Sequence, residues 1–120
     1  MARSKNIDVS LSSLGQREPI DDAMADSLTA LFKVLANPHR LRLLHALERE
    51  GELGVGQLAE ETGMSMQAVS NQLQRLTDQG VLVARREGNR INYRIVDPCV
   101  TGLLELGICL IEEVSSGQAD

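Results

Sequence analysis

Two cysteines, Cys99 and Cys109, stand among the carboxylates Asp97, Glu105, Glu112 and Glu113 near the end of a 120-residue chain. If this segment is helical, Cys99, Gly102, Leu106, Cys109 and Glu113 share one face, with Glu105 and Glu112 at its edge. The two thiols are ten residues apart, ~15 Å along a helix, and cannot bond within one chain. Across a two-fold axis between antiparallel helices, Cys99 of one chain approaches Cys109 and Glu113 of the other. Asp97, Cys99, Cys109 and Glu113 then supply two symmetric sets of sulfur and oxygen donors, which suit a thiophilic divalent metal such as Zn or Cd. The same thiols allow oxidation or persulfidation, because the second position of a helix favours thiolate, although Asp97 opposes it. A third reading makes both cysteines small packing residues in a dimer interface, with no cofactor at all. All three stand on residue types alone, metal binding first.

A second constellation lies upstream. With Val69, Leu73 and Leu76 turned inward on a helix opened by Met64-Ser65, the opposite face presents Gln67, Asn71 and Gln74, flanked by Ser70 and Arg75. Amide side chains bond adenine edges bidentately in the major groove, and a Ser65 cap leaves the backbone N–H groups of the helix start aimed where a phosphate can sit. Arg85, Arg86 and Arg90 follow around a Glu87-Gly88-Asn89-Arg90 turn, where long cations reach phosphates or a narrow minor groove. Taken alone, the helix is equally an ordinary solvated amphipathic one. The elements around it decide for DNA.

Those elements are legible from spacing and punctuation. Residues 1–18 form a polar arm to which no structure is assigned. From Asp21, Met24, Leu28, Leu31, Phe32 and Leu35 mark one face of a first helix that ends at Asn37. Asn37-Pro38, cap and first helical residue, opens a second that reaches about Glu50, after which Gly51, Gly54 and Gly56 break the pattern. A short third helix spans roughly Gly56 to Glu61, and Gly63 turns the chain. The Ser65 helix follows, with Met64 placed to staple against Val69, and stops at Gly80. Val81, Val83 and Arg85, then Ile91, Tyr93 and Ile95, alternate as a β-hairpin. Asp97-Pro98 starts a last helix running to about Val114, and 116–120 are tail. The expected fold is mainly α with a small β-hairpin wing, in the order α-α-α-α-β-β-α: a winged helix-turn-helix over 19–115. Readers this small usually dimerise, and the first and last helices, the latter apolar over half its circumference, are the expected dimer elements.

Charge is segregated along the chain. Overall, 12 Lys and Arg face 17 Asp and Glu, a net −5. Residues 65–94 nevertheless carry Arg75, Arg85, Arg86, Arg90 and Arg94 against Asp78 and Glu87, while 95–120 hold acidic groups and no Lys or Arg. This favours a phosphate-facing surface beside a separate region suited to a cation or partner. No apolar run is long enough to cross a bilayer, the start has no apolar signal core, and two cysteines fit a reducing cytoplasm. With 2% aromatics, base-stacking RNA platforms are disfavoured. An enzyme is not expected, since no Ser/His/Asp set, phosphate-cradling Gly loop or metal-hydrolase helix is present. A winged helix that has lost DNA binding and docks a partner is the remaining alternative, but it has no need of a polar reading face and an Arg-rich wing.

The segments LFKVLANPHRLRLLHALE, from Leu31 to Glu48, and VGQLAEETGMSMQAVSNQLQRLTDQGVLVARREGNRINYRI, from Val55 to Ile95, resemble the ArsR/SmtB winged-helix transcriptional repressors. The resemblance runs from about Asp21 to Glu113. It implies a homodimeric repressor that sits on an imperfect inverted repeat of double-stranded DNA and is released by an effector. The arsenic-type thiol positions of the family fall on Gly54 and Gly56 here, so that site is absent. Of the zinc-type ligands, Asp97 and Glu113 match, whereas Cys99 and Leu110 stand where the family has histidines. The second-helix cysteine of persulfide-sensing relatives is His45 in this chain.

Overall fold

A computed structural model describes residues 13–115; the first twelve residues of the arm and the 116–120 tail lie outside the described residues. Leu14–Gln16 form a 3-10 turn, a local structure that the polar arm did not announce. Five helices follow: α1 (Asp22–Leu35), α2 (Pro38–Glu50), α3 (Val55–Thr62), α4 (Met66–Asp78) and α5 (Pro98–Ser115). Their starts are set by side chains that satisfy the unpaired N–H groups of a first turn. Asp21 accepts from Met24 N–H at 2.9 Å, and Asn37 accepts from His39 and Arg40 N–H at 2.9 and 3.1 Å. Helix α3 begins one residue before its expected start because the Gln57 side chain reaches back to Gly54 N–H at 3.0 Å.

The core is built by α2, α3 and α4. Leu43, Leu44, Leu47, Leu58, Val69, Leu73 and Leu76 are all fully buried. Arg40 fastens α1 and α4 onto α2, its Nε donating to Gln72 Oε1 at 2.6 Å and its Nη1 to the Val34 carbonyl at 2.8 Å. Arg42 Nη2 donates to the Thr62 carbonyl at 2.7 Å, satisfying an acceptor at the end of α3. Helix α4 ends in a Schellman motif: Val81 N–H bonds Leu76 O at 2.9 Å, Gly80 N–H bonds Thr77 O at 3.0 Å, and Gly80 takes φ +79°.

The wing has three strands rather than two. β1 (Leu53–Gly54), β2 (Leu82–Glu87) and β3 (Arg90–Ile95) form an antiparallel sheet in the order β1-β3-β2. The unexpected β1 pairs Leu53 with Tyr93 and Gly54 with Asn92. The segment taken as a glycine break between α2 and α3 therefore docks the wing on the start of α3. β2 and β3 join through Gly88-Asn89, with the positive φ of +65° carried by Gly88, as in a two-residue hairpin of the II′ kind.

α1 and α5 contribute little to this core. The described part of α1 buries only Val34 and Leu35, while Met24, Leu28 and Phe32 of the predicted apolar face are exposed. On α5 only Val100, Thr101 and Gly102 are buried. One side-chain hydrogen bond, Thr101 Oγ1 to Glu48 Oε1 at 2.7 Å, fastens α5 to α2.

Candidate nucleic-acid interface and effector site

Helix α4 is turned as its pattern requires. Val69, Leu73 and Leu76 are 0% exposed, and Ser65, Gln67, Ser70, Asn71, Gln74 and Arg75 all stand in solvent. Ser65 Oγ caps the helix, accepting from Ala68 N–H at 3.1 Å. The turn before it is tight because Gly63 adopts the left-handed conformation (φ +76°, ψ +8°) that other residues reach only with strain. Gln67 Nε2 donates to Asn71 Oδ1 at 3.1 Å, and Gln74 Nε2 donates to Asp78 Oδ1 at 3.0 Å. The amides are thus held in a row along the outer face, leaving donors and acceptors that a base edge can meet.

The wing arginines divide between two faces. Register sets Arg85 opposite Asn92 and Val83 opposite Arg94, so Arg85, Arg90 and Arg94 share one face and Arg86 lies on the other. Arg94, which the tip-centred reading passed over, belongs with the first group; its period of two from Arg90 was the available signal. Arg85 is engaged within the chain: its Nε meets Glu52 Oε2 at 2.6 Å and its Nη2 meets Glu87 Oε1 at 3.4 Å. The hydrogen bond and charge of Glu52, then those of Glu87, raise its pKa. Arg90 Nη2 reaches Gln57 Oε1 at 3.2 Å. Both arginines therefore tie the wing to the β1–α3 segment, in addition to whatever they meet outside the chain.

Met66 is a second residue that the sequence reading passed over. It opens α4, contributes nothing to the core, and is 58% exposed beside Gln67.

At the other end of the molecule, one chain assembles the four predicted ligands as two pairs. Asp97 Oδ1 accepts from Cys99 N–H at 2.7 Å, and Cys109 Sγ lies 3.9 Å from Glu113 Oε2. Both thiols are unbridged and exposed. Among the described residues of a single chain, no group of three or more His, Cys, Asp or Glu side chains is arranged to hold a metal ion. A complete donor set consequently requires the second copy that the antiparallel reading invoked. Around these pairs, α5 is apolar and open to solvent, with Leu110 63% and Val114 68% exposed. α1 adds exposed Met24, Leu28 and Phe32, and a cleft of about 300 Å³ runs between Phe32, Leu41, His45, Leu103 and Ile108.

Of the two influences on the Cys99 thiol, the helix start and Asp97, the opposing one is placed in direct contact with it. Asp97 raises the Cys99 pKa, first through a hydrogen bond to the thiol, then with help from desolvation and from its own charge. The same contact lowers the pKa of Asp97, chiefly through the Cys99 N–H. Asp97→Asn keeps a competent cap and removes the charge, so the Cys99 thiol should titrate at lower pH than in the parent, as read from ultraviolet thiolate absorbance.

Of the two arsenic-type positions, Gly54 is sterically tight and Gly56 is open, with only Met66 Cε at 4.0 Å. A Cβ added to Gly54 would stand 3.2 Å from Asn92 Oδ1 and 3.3 Å from the Ile91 carbonyl. A side chain at Gly54 would ask Asn92 and the Ile91 carbonyl to give by a few tenths of an ångström.

No helix among the described residues is long and apolar enough to cross a membrane. A family profile described as a helix-turn-helix domain matches residues 35–85. The crystal structure of AntR, an antimony-specific transcriptional repressor, superposes with a TM-score of 0.77 at 60% identity, covering 87% of this chain and 94% of that one. A homodimeric winged helix-turn-helix DNA-binding domain from Mycobacterium bovis matches with a TM-score of 0.70 at 36% identity, over 81% and 92% of the two chains. The transcriptional regulator NmtR of Mycobacterium tuberculosis is 38% identical over 102 residues, 85% of this chain and 84% of its own. With α4, the wing and α5 placed as described, the chain belongs to the ArsR/SmtB family of winged-helix transcriptional repressors.

Proposed function

We propose that the chain is a homodimeric repressor that binds an inverted-repeat operator through α4 and the wing, and is released when a thiophilic metal or metalloid ion is held between two α5 helices. The observation that carries the effector half is the placement of Cys99 and Cys109, each exposed and each beside a carboxylate, on a helix that the protomer covers mainly through its first turns and whose apolar side chains beyond them are largely exposed. Soft thiolates select soft ions, and the resemblance to an antimony-specific repressor makes trivalent antimony the first ion to test, ahead of Zn and Cd. Cys99, Cys109 and Glu113 would hold the ion, with Asp97 acting as the cap that sets the start of α5. When bound, the ion supplies a cross-link between helices. The chain supplies the transmission: α5 joins α2 through Thr101 and Glu48, and α2 carries Arg40, which grips α4 through Gln72. A shift in α5 therefore bears on the spacing of the two reading helices, and an ion that favours one spacing over the other changes operator affinity. The same two exposed thiols also admit a redox or persulfide switch, which is the alternative that the test separates.

The test is operator binding by the reduced protein, followed by gel shift, with and without antimonite, Cd, Zn, or an oxidant. Release by antimonite or a thiophilic metal supports the reading; release by the oxidant alone replaces it with a thiol switch. On the DNA side, Arg75→Ala and Gln67→Ala should each weaken operator binding, by about five- to 150-fold if a bidentate base contact is lost, without unfolding the protein. Arg90→Ala should weaken binding to all DNA sequences alike and reduce the slope of log affinity against log salt by about one. Unchanged affinity in Arg75→Ala and Gln67→Ala together would remove α4 from the interface.

A further inference from the structure

The large exposed apolar residues fall on the 3-10 turn and the chain entering α1, on α1 itself, at Leu41 of α2, on β3 and the residue after it, and on α5, with one exception. That exception is Met66, the single such residue among the described part of the α3–turn–α4 unit. Isolated exposed apolar side chains are common and need no explanation in themselves. What distinguishes Met66 is its setting. It precedes Gln67, lies one turn before Ser70 on the flank of the amide row, and its Cε sits 4.0 Å from where a Cβ on Gly56 would be. Gly56 adds no side chain beside the thioether, which is largely exposed and has three rotatable bonds with which to follow a surface.

A polar reading face with one apolar member matches a particular partner. In the major groove the donor and acceptor pattern is polar throughout except at the C5-methyl group of thymine. Gln67 and Asn71 are suited to adenine, whose pairing partner presents that methyl on the opposite strand. We propose that Met66 is a specificity-determining residue that selects a thymine in each half-site by packing its thioether against the C5-methyl group. This inference rests on the reading of α4 as the DNA-facing helix. Removing one methyl from water changes affinity by about fourfold, and two half-sites on one dimer by about fifteenfold.

The experiment separates the two readings. Operator duplexes are selected with the purified full chain from a random-sequence duplex library, and each thymine is then replaced in both half-sites by deoxyuridine, which lacks only the methyl group. Affinities are measured by fluorescence anisotropy for the parent, Met66→Gln and Met66→Leu. The expected result is one thymine position at which the replacement costs the parent about fifteenfold, costs Met66→Gln nothing, and costs Met66→Leu an intermediate factor. Thermal unfolding of Met66→Gln should match the parent, because the side chain is exposed. If every deoxyuridine replacement affects the parent and Met66→Gln equally, Met66 reads no methyl group and the proposal fails while DNA reading stands. If the library shows no enrichment, both fail.

Discussion

Cys99→Ser and Cys109→Ser should each abolish the release of operator by antimonite while leaving operator affinity in its absence unchanged, and mixed dimers of the two variants should recover it. Serine keeps the shape of cysteine but offers a hard oxygen that does not deprotonate at neutral pH, so the soft ion loses its ligand. Coupling between effector and ligand sites is commonly worth about 1–3 kcal/mol, a factor of about five to 150 in affinity, and all of it should disappear in either variant. The mixed-dimer result follows from geometry. If each site draws Cys99 from one chain and Cys109 from the other, a dimer of the two variants has one site with both thiols missing and one with both present. Two inactive homodimers should then give a responsive heterodimer, prepared by unfolding and refolding a mixture of differently tagged chains and followed by fluorescence anisotropy. Failure of the mixture to respond would show that the two thiols do not act across the dimer axis.

Leu73→Ala should cost about 2–5 kcal/mol of stability, against a total of about 5–15 kcal/mol for a domain. Leu73 is fully buried at the middle of α4, where α2 and α3 leave it no route to solvent. Truncation removes apolar burial and opens a cavity in the core. The loss should appear as a lower urea midpoint with an unchanged slope, and operator binding should fall with the fraction folded. A loss below about 1 kcal/mol would mean that neighbouring leucines collapse into the space.

The reading helix was legible because its determinants are local. Gly63, Ser65 and Gly80 mark its ends within a few residues, and Val69, Leu73 and Leu76 declare its buried side. β1 was not legible for the opposite reason. Leu53-Gly54 is too short to show a period, and its strand character exists only through Tyr93 and Asn92, some forty residues away. The wing lies between these cases. Alternation predicts both long strands, yet the division of Arg86 from Arg85, Arg90 and Arg94, and the capture of Arg85 by Glu52, depend on register and on a distant chain segment. At Cys99 the sequence shows both influences on the thiol, the helix start and Asp97. The contact by which Asp97 raises the Cys99 pKa takes its geometry from the folded turn that opens α5. On α1 the helical stripe is real, but its period does not say whether the apolar face meets its own core or another chain.

The sparse anchorage of α5 has a consequence for how the protein behaves on dilution. Beyond Gly102 the described part of the helix buries no residue fully, and apart from Leu104, which packs partly on the core, its large apolar side chains are exposed in the isolated protomer. Their burial then waits on an encounter between two chains, so the melting temperature should rise with protein concentration as mass action requires. If the ion is held between two α5 helices, as proposed, the donor set obeys the same law. At low abundance the responsive species is scarce because the helices that would frame it have not met, and sensitivity to the ion becomes a property of the amount of repressor as well as of its chemistry.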